Sequence, residues 1–376
     1  MESNEDMWKL EYYHGLLPRE DVNELLKKDG DFLIRKSEET SGQERVYALS
    51  VNVCGQNRHV IFRNERGLVC VDFGLERGYR TIHTFIDAHL TKGDSISSQA
   101  KVVLKRGIAR QKWELAHSTV TQGKELGRGA FGIVRRGSFK EPTSSQAIQV
   151  AIKEVSQTST KDQIKEFMNE ARIMRQFDHK NVIKFHGVAV GQEPLMIVME
   201  LASDGSLTDY LKKTKRSLRS KLFMCFGAAA GLDHIHSKGT IHCDIAARNC
   251  LFSQNTVKIA DFGLAHRGTS KPMDKNKPMP IKWLSPDTIR DLAVQPQKRH
   301  VGLRSSLLGN LHQRATALRI RVERRCHPDD NPWQATPIPA RDADAVSRLR
   351  PGKHLERGRI APYGDARSFG VDRAAH

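Results

Sequence analysis

The sequence lacks any hydrophobic run that approaches the ~18 apolar residues needed to cross a bilayer. Its first residues, Met1–Asp6, are acidic and polar, so we expect no secretory signal. Its six cysteines show no paired spacing, which argues against a disulfide framework and for free thiols in a reducing compartment. These absences predict a cytoplasmic protein without a transmembrane segment.

Acidic residues are scarce relative to basic ones. The chain has 61 Lys and Arg against 43 Asp and Glu, a formal net charge of +18. A basic balance raises the question of nucleic-acid binding, but no aromatic-interleaved basic motif accompanies the charge, which is spread along the chain. We therefore interpret the charge as a solvated surface and expect no nucleic-acid partner.

The length of 376 residues allows two or three domains. After an N-terminal tail (1–11), residues 12–98 alternate short strand-like runs with polar turns and carry a helical pattern at each end. Residues 99–112 are polar and basic, as in a linker. Residues 113–290 begin with strands, pass through a helix near 161–176 and end in helices. This pattern predicts an α+β small lobe followed by a mainly helical large lobe.

A glycine-rich turn, Leu126-Gly-Arg-Gly-Ala-Phe-Gly-Ile-Val134, joins two strand-like runs. Glycines let backbone N–H groups approach phosphate oxygens closely, although a dinucleotide-binding turn or a plain hairpin fits this pattern as well. Downstream, Lys153 lies in an apolar strand, a poor place for an ammonium group without an anionic partner. Glu170, on the amphipathic helix Asp162–Gln176, is the natural partner.

Two acidic motifs follow: Ile241-His-Cys-Asp-Ile-Ala-Ala-Arg-Asn249 and Ile259-Ala-Asp-Phe-Gly263. Asp244, Asn249 and Asp261 fit a base for an incoming hydroxyl and two metal ligands. A single aspartate is more often a cap or a turn residue, but five motifs in this order and spacing are not explained that way. Here the sequence resembles the protein kinases, a family that transfers phosphoryl groups.

Tyrosine specificity is indicated by two further segments, Ala246-Ala-Arg248 and Pro280-Ile-Lys-Trp-Leu-Ser-Pro286, which resemble tyrosine-kinase sequences. The resemblance implies ATP and Mg²⁺ as cofactors and Asn249 and Asp261 as the Mg²⁺ ligands. It implies catalytic roles for Asp244, Lys153, Glu170 and Arg248. The ATP-binding positions that it implies are Leu126, Gly127, Gly129, Gly132, Val134, Ala151, Lys153, Glu200, Ala202 and Leu251.

The first domain resembles an SH2 domain through Glu11-Tyr-Tyr-His-Gly15 and Asp31-Phe-Leu-Ile-Arg-Lys-Ser-Glu38. The resemblance predicts a central antiparallel sheet flanked by two helices. A phosphotyrosine carries nearly two negative charges, so its pocket calls for a forked donor supported by N–H groups and hydroxyls. An arginine that ends a strand is usually just exposed, but the family order of several residues favours a pocket. The predicted phosphotyrosine-binding residues are Arg35, Arg19, Ser37, Thr40 and His59.

The SH2–kinase order, the short linker and Trp113-Glu-Leu115 are most similar to the Fps/Fes/Fer group of non-receptor tyrosine kinases, in the short form found in nematodes. The resemblance implies that the SH2 domain binds tyrosine-phosphorylated proteins, docks substrates and packs on the small lobe to favour the active state. Protein substrates, and membrane recruitment through partners, are further expectations.

The sequence departs from the family at two places. Cys243 replaces the arginine that ordinarily precedes the catalytic aspartate, and no tyrosine occurs between Asp261 and Asp287. Residues 291–376 hold 14 Arg but 2 Lys, without a helical or strand period, and do not match a kinase large lobe. Our hypothesis is that this segment comes from an altered reading frame or a mispredicted exon, which leaves the large lobe incomplete.

Two functions compete at this point. The first is an active tyrosine kinase in which Asp244 orients a tyrosyl hydroxyl for transfer of the ATP γ-phosphoryl group. The alternative is a phosphotyrosine-binding adaptor with a catalytically impaired kinase-like domain, which Cys243 and the Arg-rich segment would favour.

Overall fold

The computed structural model describes residues 4–38, 44–71, 78–97, 101–129, 132–155, 159–268, 270–272, 290 and 293–294. All of these residues belong to one compact unit, Met1–Ala317. Thr40, the segment 280–286 and nearly all of residues 291–376 lie outside the described residues. Among the described helices, none combines the length and the apolar character that a membrane crossing requires.

The first domain is built on a five-stranded sheet with the strand order β4-β3-β2-β1-β5. Strands β1 to β4 pair antiparallel, and the short β5 joins β1 in parallel. Helix α3 begins directly after Thr81, because Thr81 and Thr84 form a capping box. The elements are α1 (Asn4–Trp8), α2 (Arg19–Leu25), β1 (Asp31–Glu38), β2 (Arg45–Val53), β3 (Gln56–Glu65), β4 (Leu68–Val71), α3 (Ile82–Lys92) and β5 (Arg106–Gly107).

The core of the first domain draws on residues at both ends of its sequence. Residues 1–11, assigned above to a tail, include α1, whose Met7 is fully buried in this core. Residues 99–112, assigned to a linker, contribute the buried Val102 and Leu104 as well as β5. A five-residue helix is too short to show a helical period, so its burial left no pattern in the sequence.

The small lobe of the second domain is a five-stranded sheet with the order β6-β7-β8-β10-β9, packed against one long helix, α4. Thr160 caps α4 through a capping box with Gln163, and buried residues recur along one face of the helix. The elements are β6 (Val120–Gly129), β7 (Gly132–Lys140), β8 (Ala147–Glu154), α4 (Lys161–Met174), β9 (Phe185–Ala189) and β10 (Met196–Glu200).

The large lobe is described in its first part, which begins with two helices and continues in short strand pairs. The β12–β13 hairpin packs against both helices through a buried apolar cluster that includes Leu207, Met224 and Phe252. The α+β prediction with an SH2 arrangement first and a sheet-rich small lobe second is confirmed. The elements are α5 (Leu207–Lys213), α6 (Leu218–Ser237), β11 (Thr240–Ile241), β12 (Cys250–Ser253), β13 (Thr256–Ile259), β14 (His266–Arg267), β15 (Lys271–Pro272) and β16 (Ala293–Val294).

Candidate functional site

Lys153 and Glu170 form a buried ion pair between the small-lobe sheet and α4. The Nζ of Lys153 donates to both carboxylate oxygens of Glu170 at 2.7 Å, and Lys153 is only 7% exposed. Burial raises the pKa of Glu170, while the charge of Lys153 acts in the opposite direction. The Oδ1 atom of Asp261 lies 3.8 Å from the same Nζ. Three residues distant in sequence are therefore brought together.

The side chain of Asp244 is held by two neighbours on the same loop. Arg248 donates to its Oδ1 at 2.5 Å, and the amide of Asn249 donates to its Oδ2 at 2.8 Å and to its backbone carbonyl at 2.9 Å. These bonds fix the orientation of the carboxylate. Each carboxylate oxygen can accept more than one hydrogen bond, so the group can still accept a proton.

His242, for which the sequence predicted no role, links this loop to the segment that carries Asp261. Its Nε2 donates to the carbonyl of Ala260 at 3.0 Å, and its Nδ1 accepts from the backbone N–H of Asp244 at 3.3 Å. Its ring also lies 4.9 Å from that of the buried Phe262. Two bonds of this kind fix the positions of both loops. Its position two residues before Asp244 in the sequence could have indicated this role.

Asp261 occupies the left-handed backbone region, with φ of +62°. A non-glycine residue in that region carries strain that the surroundings must offset. Phe262 supplies an anchor, because its ring is buried with its centroid 5.2 Å from that of Phe177. Asp261 is therefore held beside the Lys153–Glu170 pair, with its side chain 45% exposed.

The positions predicted to bind ATP fall into three groups. Val134, Ala151, Ala202 and Leu251 belong to one apolar cluster, while Leu126 is 53% exposed on β6. Glu200 ends β10 and pairs with Lys258 at 3.1 Å. The predicted glycines, Gly127, Gly129 and Gly132, lie at the β6–β7 hairpin.

Of these glycines, Gly132 has a structural requirement of its own. Its φ is +127°, and an added Cβ would lie 2.0 Å from the carbonyl oxygen of Glu154. At Gly127 and Gly129 a Cβ would meet nothing within 4 Å. The side of the hairpin that these two glycines occupy is therefore open to a ligand, while Gly132 holds the hairpin against β8.

Asn249 and Asp261 could together hold a divalent cation. Both offer oxygen atoms, which hard cations such as Mg²⁺ prefer. No group of three or more His, Cys, Asp or Glu that could hold a metal occurs among the described residues. A site with two protein ligands fits a cation that is also bound by substrate phosphates, since Mg²⁺ commonly takes one or two protein ligands in nucleotide sites.

Arg35 is buried on β1, in the sheet of the first domain. It donates to the hydroxyl of Ser50 at 3.3 Å and to the carbonyl of Leu17 at 3.5 Å. Burial and the nearby charge of Arg19 lower the pKa of Arg35 to about 10. His59 bonds to the same Ser50 at 2.9 Å. The positive charges of Arg35 and Arg19 favour an anionic ligand.

The remaining pocket residues differ in placement. Arg19 is exposed at the start of α2, and Ser37 is buried on β1, where its hydroxyl donates to the carbonyl of Glu38. Thr40 lies outside the described residues, so its role stays a prediction.

His59 is expected to titrate far below the usual histidine range. Burial, followed by the charges of Arg35 and Arg19, lowers its pKa to about 4. The folded state then holds the proton less tightly than the unfolded state. The stability contributed by neutral His59 is present above about pH 6.5 and is lost as the pH falls toward about 4.

An NMR titration of the His59 ring would measure this pKa directly. A phosphotyrosine peptide should raise the midpoint, because its negative charge offsets the two arginines. A midpoint near 6.5 in the free protein would contradict the electrostatic picture of the pocket.

The first domain contacts the helix that carries Glu170. Asp21 on α2 receives hydrogen bonds from the Nε and the terminal nitrogen of Arg172 at 3.0 and 2.7 Å, and both residues are largely buried. Two more exposed ion pairs, Glu20–Lys165 at 2.6 Å and Glu24–Arg175 at 3.0 Å, flank it. Three acids of α2 therefore meet two bases of α4, Lys165 and Arg172, and Arg175 directly after it.

The two domains also meet through the main chain. The N–H of Leu16 donates to the carbonyl of Val190 at 2.9 Å, and a Cβ on Gly15 would lie 2.0 Å from that oxygen. Nearby, the buried side chains of His14 and Glu114 are paired at 2.9 Å. The resemblance implied that the first domain packs on the small lobe, but it did not identify these contacts, because they join residues far apart along the chain.

Cys243, which precedes Asp244, is buried beside Ile241 and Val294 in a small apolar cluster. The pair β15–β16 brings Val294 to this cluster. A neutral side chain that packs with apolar neighbours fills this position, so nothing at Cys243 itself would attract a phosphate.

Comparisons with known proteins agree with this geometry. A family described as protein tyrosine and serine/threonine kinase matches residues 120–298, and the SH2 domain family matches residues 12–89. Among relatives, Fer-related kinase 1 of Caenorhabditis elegans is 38% identical over 289 residues, which cover 76% of this chain and 73% of the relative.

Two further relatives are longer than this chain. Tyrosine-protein kinase Fer of Homo sapiens is 37% identical over 293 residues, 76% of this chain and 34% of the relative. Spermatocyte protein spe-8 of Caenorhabditis briggsae is 37% identical over 295 residues, 77% of this chain and 55% of the relative. With both domains matched and a relative covered over most of its length, the chain belongs to the Fps/Fer group of SH2-containing non-receptor tyrosine kinases.

Proposed function

We propose that this chain transfers the γ-phosphoryl group of ATP to tyrosines of proteins, with Mg²⁺ as the cation and its SH2 domain bound to phosphotyrosine. The observation that carries the proposal is that the segment of Asp261 connects two arrangements, since Asp261 lies 3.8 Å from Lys153 and the neighbouring Ala260 bonds to Asn249 and His242. Lys153 is already paired with Glu170, and the carboxylate of Asp244 is already oriented by Arg248 and Asn249.

Each residue has a distinct task in this proposal. When bound, ATP and the cation supply the phosphoryl group and neutralise its charge. Glu170 holds the ammonium group of Lys153 where the α- and β-phosphates would lie. Asn249 and Asp261 offer oxygen ligands to the cation, and Asp244 orients the tyrosyl hydroxyl and accepts its proton. Kinase catalysis consists mainly of such positioning and charge stabilisation.

The apolar side chains around the cleft would hold the adenine ring. Val134, Ala151, Ala202 and Leu251 pack in one cluster that combines both lobes. Ligand sites of this kind are largely apolar, with a few polar groups that fix orientation. Glu200 and the chain directly after it would offer backbone groups to the base.

The test of the proposal is transfer of label from γ-labelled ATP to an acidic tyrosine peptide. The matched control is the same peptide with phenylalanine in place of tyrosine, and a second control omits the divalent cation. We expect label only with tyrosine and cation present. Absence of cation-dependent affinity for adenine nucleotide would overturn the proposal.

The SH2 part of the proposal predicts that Arg35→Lys weakens binding to a phosphotyrosine peptide by about 10–100-fold. A lysine keeps the charge but loses the planar fork that binds two phosphate oxygens at once. Affinity is measured by fluorescence anisotropy. Arg58→Lys, an exposed arginine on β3, is the matched control and should bind as the unaltered chain does. Equal affinity for the Arg35 variant would contradict the assignment.

No contact among the described residues favours the alternative of an adaptor with an impaired kinase-like domain. Cys243 is packed rather than exposed, and the residues around Asp244 keep their hydrogen bonds. We further propose a cytoplasmic location, supported by the free thiols of Cys54, Cys70, Cys225, Cys243 and Cys250. Recruitment to membranes through phosphorylated partners remains part of the proposal.

A further inference from the structure

The short helix α1 contacts both domains through two adjacent side chains. Met7 is fully buried in the core of the first domain and fixes the helix there. The next residue, Trp8, is half-buried against the same core. Its ring also reaches Gly191, in the turn that joins β9 and β10 of the small lobe. The approach is close, because a Cβ added to Gly191 would lie 2.4 Å from Cε3 and from Cζ3 of Trp8.

Trp8 is held in this position by residues of the first domain and of the segment that follows it. The guanidinium of Arg110 lies over the indole, 4.3 Å from its centroid. The same guanidinium donates to the carbonyls of Leu10 at 2.6 Å and of Tyr13 at 3.1 Å. The ring of Tyr13 meets that of Trp8 edge-on, with 6.1 Å between the centroids. A cation and a second ring therefore fix the orientation of the indole.

The β9–β10 turn is also bound by other parts of the first domain. The hydroxyl of Tyr13 donates to the carbonyl of Gly191 at 3.4 Å. Arg45, at the start of β2, pairs with Glu193 in the same turn and donates to the carbonyl of Ser159 at 2.8 Å. Ser159 directly precedes the N-cap residue of α4. The turn and the start of α4 are therefore attached to the same domain.

We propose that α1 clamps the first domain to the β9–β10 turn, and that Trp8 is a positioning residue for phosphoryl transfer. None of the contacts given above for Trp8 involves a residue of the cleft, so its effect is indirect. The clamp keeps α2 within reach of α4, and α4 carries Glu170. When the clamp is lost, α4 moves more freely and Glu170 leaves Lys153 more often, since coupling between sites passes through packed side chains and ion pairs.

This inference rests on the proposed function and extends it to residues that neither matched family includes. The SH2 match covers residues 12–89 and the kinase match covers residues 120–298, so Trp8 and Arg110 lie outside both.

Steady-state label transfer from γ-labelled ATP by the full chain tests the role of Trp8. Trp8→Ala should lower kcat/KM for ATP about 5–30-fold, within the range found for residues that couple two sites. Trp8→Phe keeps a ring against Gly191 and should recover the value to within about threefold of the unaltered chain. An unchanged kcat/KM in Trp8→Ala, in a chain that does transfer label, would overturn the inference.

Gly191→Ala tests the same contact from the small lobe, without removing any atom from the core of the first domain. The added methyl group would collide with the ring of Trp8, so kcat/KM should again fall about 5–30-fold. In the double variant with Trp8→Ala the methyl group no longer meets a ring. The loss should then be no greater than in Trp8→Ala alone, whereas independent effects would multiply. Multiplied losses would contradict a shared contact.

The control for stability is Phe85→Leu, which trims the buried core of the first domain at α3. Its ring contacts Phe62, Tyr79 and His89, all within that domain. This variant should weaken the domain but keep kcat/KM within about twofold, because the clamp is intact. A loss equal to that of Trp8→Ala would show that Trp8 acts only through the stability of the first domain. Circular dichroism checks that every variant is folded.

Hydrogen exchange measures the clamp without any catalytic step. Trp8→Ala should speed amide exchange along α4 about fivefold or more, because that helix opens locally more often. Phe85→Leu should speed exchange in the first domain and leave α4 as it was. Exchange in α4 that does not respond to Trp8→Ala would overturn the clamp. Absence of transfer by the unaltered chain would instead overturn the proposed function, so the two failures are distinguishable.

Discussion

Replacement of Asp244 by asparagine is expected to lower the rate of phosphoryl transfer about 10²–10⁴-fold, the usual contribution of a positioned general base. The amide has nearly the same shape but no longer accepts a proton. It also weakens the bond from Arg248, since a charged acceptor makes the stronger hydrogen bond. Lys153, Glu170 and Asp261 are unchanged, so nucleotide affinity should remain within about threefold.

The measurement is label transfer to a tyrosine peptide at saturating ATP, with nucleotide binding measured in parallel. Asp233→Asn makes the same chemical change at an exposed position on α6 and serves as the matched control. An Asp244 variant that retained more than a tenth of the rate, with the control unaffected, would remove Asp244 from the role of base.

Truncation of Asp21 is expected to destabilise the domain contact by about 3–5 kcal/mol, because a buried ion pair that loses one partner leaves an uncompensated charge. In Asp21→Leu, that charge is Arg172, whose side chain is 12% exposed. Arg172 follows Glu170 on α4 by two residues. The loss should therefore disturb the Lys153–Glu170 pair and lower phosphoryl transfer as well.

A double variant separates this effect from a general loss of folding. Asp21→Leu with Arg172→Leu removes both charges, and apolar replacement of a whole buried pair is often neutral or stabilising. Stability and transfer rate should therefore recover, as a double-mutant cycle would show. Glu24→Gln breaks a more exposed pair with Arg175 and should cost at most about 1 kcal/mol. No recovery in the double variant would show that the ion pair itself is not the link.

The cleft was largely predictable from sequence because its residues lie in short motifs. Asp244, Arg248 and Asn249 share one loop, so their mutual hydrogen bonds follow from local spacing. Lys153 and Glu170 are 17 residues apart, but an ammonium in an apolar strand demands a carboxylate nearby. The need of a buried ammonium group for a counter-charge thus predicted this pair without any knowledge of distances.

The resemblance implied that the SH2 domain packs on the small lobe, but the residues that make this contact were not predictable in the same way. Asp21 and Arg172 are 151 residues apart, and each taken alone resembles an ordinary surface charge. Their burial results from the packing of α2 against α4, which no local pattern encodes.

At Gly15 the contact between the domains depends on main-chain atoms and on the absence of a side chain. The hydrogen bond from Leu16 to Val190 joins main-chain atoms, so no particular side chain is needed to keep it. Exchange of the neighbouring side chains therefore leaves this hydrogen bond in place. The exception is the glycine, where even a methyl group would push the two backbones apart. A single alanine there should act as a wedge, altering orientation without altering either module.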